Sequence, residues 1–99
     1  MNNCSHIIES RSDGYAQPID VITYHDEDGS FKPYRFRMKD DDGELLTIQV
    51  RRIVDKKEEK ITGTYYNTYY CLCTVYDMSK TFELRFIRDT GRWFLMNII

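Results

Sequence analysis

The chain predicts an all-β fold, a small antiparallel barrel or roll of about six strands in meander order. Three observations carry that expectation. Apolar and polar residues alternate in short runs, the period of strands buried on one face. Asp- and Gly-containing turns cut those runs at Asp28-Gly29, Asp42-Gly43, Asp77 to Lys80 and Asp89-Thr90-Gly91, where a tight hairpin needs residues that tolerate positive φ. Consecutive short strands joined this way leave free edges that invite aggregation, and closing the sheet on itself removes them.

Each element follows from its own pattern. Residues 1–16 mix polar residues with one apolar pair, Ile7-Ile8, and read as a flexible N-terminal arm ending near Ser12-Asp13-Gly14. Residues 17–99 form the single barrel domain. Its first run is Ile19 to Tyr24. In the second, Lys32 to Lys39, the residues Tyr34, Phe36 and Met38 share one side, and Arg35, Arg37 and Lys39 the other. In the third, Leu45 to Asp55, the apolar Ile53 falls out of phase with Leu46, Ile48 and Val50. A bulge near Arg51-Arg52 restores the phase and bends the strand as a small barrel requires. The charged stretch Lys56 to Lys60 reads as a solvated loop or a short helical turn. In the fourth run, Tyr65 to Tyr76, one side carries Tyr69, Cys71, Cys73 and Val75 and the other Tyr66, Tyr70, Leu72 and Tyr76. Both faces are apolar, so the strand is either covered on two sides or exposes a sticky patch. The fifth run, Thr81 to Arg88, sets Phe82, Leu84 and Phe86 against Glu83 and Arg85, and the last spans Arg92 to about Ile98. An SH3-like or Sm-like barrel fits this order best.

Composition narrows the function classes. A chain of 99 residues holds one modest core. With 41% apolar and 14% aromatic residues it is not a disordered tail. The net charge of -2 gives no global attraction for polyanions, so nucleic-acid binding needs a local patch. An odd count of three cysteines, two of them in Cys71-Leu72-Cys73, does not fit a secreted disulfide framework and points to reduced thiols in the cytoplasm. No apolar stretch approaches the ~18 residues of a membrane helix, and no export signal or anchor is evident.

Candidate chemistry is sparse. Cys4, His6, Cys71 and Cys73 supply the residue types of a Cys3His zinc site. Cysteines two apart in an extended strand sit ~6.6 Å apart at Cα, too far for one tetrahedral metal without a turn. Small core hydrophobes are the simpler reading and no cofactor is expected, with a metal or small-molecule site near Cys71 and Cys73 as the remaining alternative. The acidic clusters at residues 26–29 and 40–44 fit hairpin turns better than a twelve-residue calcium loop. His25 beside Asp26 is a solvated turn residue rather than a general base, and no nucleophile or phosphate-loop motif appears. The chain is therefore expected not to be an enzyme. Two binding surfaces remain. Tyr66, Tyr70 and Tyr76 form the candidate protein-binding face, for a partner or a second copy of the chain. Arg35, Arg37, Arg51 and Arg85 on outward sides form an alternative basic stripe for single-stranded nucleic acid beside Tyr66 and Tyr70.

The succession Pro33-Tyr34-Arg35-Phe36, Val50-Arg51-Arg52-Ile53-Val54, Tyr69-Tyr70-Cys71, Phe82-Glu83-Leu84-Arg85 and Gly91-Arg92-Trp93-Phe94-Leu95 resembles a family of short bacterial β-proteins of unknown function. Some members are encoded beside Y-family DNA polymerases. The resemblance covers roughly residues 17 to 97, implies a compact β-fold in a bacterial cytoplasm and a DNA-repair neighbourhood, and supplies no catalytic residues.

Overall fold

The structure, a computed structural model, describes residues 16–99. The predicted arm and its residues Cys4 and His6 lie outside them. Six strands follow one another: β1 (Gln17–His25), β2 (Phe31–Lys39), β3 (Leu45–Ile61), β4 (Thr64–Val75), β5 (Met78–Ile87) and β6 (Arg92–Ile98). Each pairs antiparallel with the next, and β1 returns to β6, so the sheet closes into the expected barrel in meander order. No helix long and apolar enough to cross a membrane occurs among the described residues.

The alternation drives closure. Phe36 and Met38 of β2, Ile48 of β3, Tyr69, Cys71 and Cys73 of β4, Phe82 and Leu84 of β5 and Leu95 of β6 are all buried in one core. Every strand contributes through residues spaced by two, as the pleat demands. The acidic turns are built as read from sequence. Asp26 N–H donates to the Ser30 carbonyl (2.9 Å) and Gly29 N–H to the Asp26 carbonyl (3.0 Å), with Gly29 at φ 93°. In the next hairpin the Asp40 carboxylate accepts the N–H groups of Asp42 and Glu44, both at 2.9 Å. These carboxylates organise their own loops.

Three features depart from the sequence reading. Residues 56–60 are neither loop nor helical turn: β3 runs unbroken to Ile61 and reverses at Thr62-Gly63 (φ 50° and 83°). Charges on that stretch suit a strand whose second edge carries no partner among the described residues. The second departure is Tyr34, which is 45% exposed while Pro33 is buried. The register of β1 on β2 slips between Ile22 and Thr23, so Ile22 opposes Arg35 and Thr23 opposes Pro33. Tyr34 is the extra residue, turned outward by the bulge. The third is the hairpin joining β4 to β5, which turns at Tyr76-Asp77 rather than across residues 77–80, so β5 starts at Met78.

The predicted bulge in β3 is present, with register shifts at Val50/Arg52 and Ile53/Asp55. It lets one strand serve two neighbours. Leu45 to Gln49 pair with β2, whereas Val50 onward pairs with β4. β1 divides likewise, Gln17–Ile19 pairing with β6 and Asp20 to His25 with β2.

Candidate binding groove at the seam between the second and third strands

Because β3 leaves β2 after Gln49, the first residues of β2 and the second half of β3 have no ladder between them. The space is a groove of about 400 Å3 lined by Tyr24, Lys32, Pro33, Tyr34, Val50, Arg51, Arg52 and Ile53. A smaller hollow of about 200 Å3 shares Lys32 and Ile53 and continues past Phe31 and Lys56 to Tyr69, with Asp26 on its rim. The Tyr69 hydroxyl donates to the Phe31 carbonyl at 3.3 Å, tying β4 to the start of β2 beneath that hollow.

Charge distinguishes the groove. Among the described residues, Lys32, Arg35, Arg51 and Arg52 have no carboxylate within ion-pair distance. Arg51 donates instead to the neutral hydroxyls of Thr74 (3.1 Å) and Ser79 (3.5 Å), which leaves its charge uncompensated. The main groove has no acidic lining residue. Two tyrosine rings stand at its rim, Tyr24 and Tyr34, 53% and 45% exposed. Lys32 lies 5.7 Å from the Tyr24 ring centroid and Arg35 5.9 Å from that of Tyr34. A cation beside an exposed aromatic face is a combination that recognises flat anionic groups.

The residues singled out from sequence divide. Arg51 lines the groove and Arg35 reaches its rim beside the Tyr34 ring, itself lining a neighbouring hollow with Asp20, but Arg37 and Arg85 do not join them. Arg37 forms an ion pair with Asp20 at 2.7 Å. Arg85 lies on β5 between Glu59 (3.9 Å) and Glu83 (4.0 Å), donates to Thr68 Oγ1 (3.3 Å) and covers the Tyr66 ring at 5.2 Å. Thr68, on the outer side of β4 beneath this guanidinium, is only 1% exposed. Tyr66 and Tyr70 do share the outer side of β4, both half-buried, with Lys57 5.5 Å from the Tyr70 ring. Tyr76 stands apart in the turn, 47% exposed. The basic stripe is thus interrupted by carboxylates at Arg37 and Arg85, while Lys32, Arg51 and Arg52 meet at the seam without one.

Cys71 and Cys73 are free thiols in the core, donating to the carbonyls of Tyr69 (3.8 Å) and Cys71 (3.6 Å). Burial pushes both thiols up from 9.0, that of Cys73 to about 12, so neither is a thiolate near neutrality. No group of three His, Cys, Asp or Glu side chains is placed for a metal among the described residues. His25 stacks on Phe31 (5.4 Å) with Nε2 3.1 Å from the Thr23 hydroxyl. A wider concavity of about 750 Å3 between Gln17–Val21 and Arg37–Lys39 contains the Arg37–Asp20 pair, and its other cations, Lys39 and Arg92, have no exposed tyrosine beside them in the lining.

Tyr24, Lys32 and Arg52 were not recognised from sequence. A weak signal existed, since Tyr24, Lys32 and Tyr34 flank the first hairpin and Arg52 sits in the bulge, but their convergence depends on where β3 abandons β2. No family model, curated protein or solved structure matches this chain.

Proposed function

We propose that this protein is a binding module without catalytic activity, an SH3-like small barrel whose working surface is the seam between β2 and β3. The observation that carries this is the meeting of three cations without an ion pair, Lys32, Arg51 and Arg52, and two exposed tyrosine rings around one groove, with Arg35 beside the Tyr34 ring at its rim. Charge left unpaired at a concave site favours an anionic ligand. The non-enzymatic reading is supported by the chemistry of the candidates: the two described thiols are buried and protonated, and His25 stacks on Phe31 with the neutral Thr23 hydroxyl, not a carboxylate, against its Nε2. Reduced thiols agree with a cytoplasmic setting.

Amide chemical-shift mapping tests the site. Titration with a polyanion, either an oligonucleotide or a poly-glutamate peptide, is expected to move the amide resonances of Phe31, Lys32, Tyr34 and residues 50–53. Shifts confined to the outer side of β4 and β5, around Tyr66 and Tyr70, would refute the seam and favour a protein partner or second copy on the tyrosine row.

A further inference from the structure

We infer that the seam takes single-stranded nucleic acid, with phosphates against Lys32, Arg35, Arg51 and Arg52 and bases against Tyr24 and Tyr34; this rests on the seam being the binding site. The charge pattern selects the class. Sequence-independent affinity for a nucleic acid comes from cations that release counterions, and a cation already holding a carboxylate contributes little. The four seam cations have none, whereas Arg37, Arg85, Arg88 and Lys56 each do; Lys39, Lys57, Lys60, Lys80 and Arg92 are likewise without an ion pair but do not line this groove, so it is convergence with the two rings that marks the seam.

The tyrosines decide between a nucleic acid and an acidic peptide. A peptide entering an open seam binds as an added strand, through backbone hydrogen bonds to a regular edge. The free segment of β2 is a poor template, because Pro33 has no N–H and the bulge at Tyr34 breaks its register. Exposed rings with cations beside them need no such regularity, since every base has a face to stack. A single strand is favoured over a duplex because paired bases are not available to the two rings. Asp26 at the far hollow, followed by Glu27 and Asp28 in the hairpin, repels phosphates there and confines the chain to the end near Arg51 and Arg52.

Fluorescence anisotropy with the full chain tests this. The probes are labelled oligothymidylate and oligouridylate of about 12 nucleotides, a duplex of equal length and an acidic Glu/Tyr peptide of matched charge. Both single strands, or one of them, should bind more tightly than the duplex and the peptide. Four neutralised phosphates give a slope of about -2.8 in log affinity against log salt, so affinity should fall about 50-fold from about 50 to about 200 mM. Arg52→Glu and Tyr34→Ala, both exposed changes checked for folding by near-ultraviolet circular dichroism, should each weaken binding about 10-fold or more. Lys39→Glu, the same charge change away from the groove, should alter it no more than about twofold. Equal affinity for the duplex, or an unchanged Tyr34→Ala, overturns the proposal. Peptide binding that is lost in Arg52→Glu while no oligonucleotide binds overturns it but leaves the seam as the site. Oligonucleotide binding indifferent to Arg52→Glu overturns the seam itself.

Discussion

Replacing Trp93 by Ala should remove about 3–5 kcal/mol of stability. The indole is 8% exposed and meets three rings: Phe86 at 5.0 Å, Tyr69 at 5.5 Å and Phe31 at 6.5 Å. A Trp side chain hides ~200 Å2, which at ~25 cal/mol per Å2 amounts to ~5 kcal/mol before allowance for residual burial in the unfolded chain and for the retained methyl. Those allowances bring the transfer contribution to about 3–4 kcal/mol, and the cavity left among three rigid rings adds to it. A domain of this size has ~5–15 kcal/mol in all, so the variant should unfold at a temperature lower by at least about 12 °C. Because Trp93 is the only tryptophan, far-ultraviolet circular dichroism in urea is the appropriate readout. A double-mutant cycle with Phe86→Leu should return a coupling of ~0.5–1.5 kcal/mol for the ring pair. A loss below ~1.5 kcal/mol would refute the packing argument, since it would mean the neighbours close over the gap or the indole faces water in solution. The outcome also bears on the seam, because Phe31 sits between this cluster and the hollow beside Lys56.

Two other expectations concern the frame. Tyr76 (φ 51°) and Asp77 (φ 63°) both occupy the left-handed region, so Tyr76→Asn with Asp77→Gly should raise stability by about 1–2 kcal/mol, read as a higher urea midpoint with unchanged slope; no gain would show that Tyr76 has contacts outweighing the strain. Stability should fall on the alkaline side, because the raised thiols of Cys71 and Cys73 keep their protons in the folded state after unfolded thiols lose theirs. The stabilisation is complete below the unfolded value near 9.0 and declines above it at ~1.4 kcal/mol per pH unit for each thiol. Urea unfolding between pH 8 and about pH 11 should show a shallower decline in the Cys71→Ala, Cys73→Ala double variant, and parallel curves would contradict the assignment.

What the residues announce in advance is whatever depends on period two and on turn chemistry. Tyr69, Cys71, Cys73 and Val75 go inward as their spacing dictates, and Ile53 out of phase correctly marks a bulge. The failures have a common origin in the same rule. Lys56 to Lys60 lack apolar alternation because each residue of a half-open strand needs solubility more than burial, so a genuine strand resembles a loop; Thr62-Gly63 was the only local sign of a hairpin there. Tyr34 shares the parity of Phe36, and only a slip against β1 sends it outward. The groove was less legible still. Arg35, Arg37, Arg51 and Arg85 look equivalent along the chain, and it is the placement of Asp20 and Glu59 on other strands, with Glu83 two residues before Arg85 on β5, that neutralises two of them. Uncompensated charge is a property of neighbours in space, which alternation does not encode.

A meander built by zipping each strand onto its predecessor has one join that cannot form locally. Here it is the short seal of Gln17–Ile19 on Trp93 to Leu95, which brings together opposite ends of the described chain. Its loop-closure entropy is the largest in the molecule, so it should be the last ladder made during folding and the first to fray. The barrel is in effect a belt fastened by a small buckle. Slow amide exchange would concentrate on β4 and β5, and the native protein would breathe at the clasp rather than at its centre.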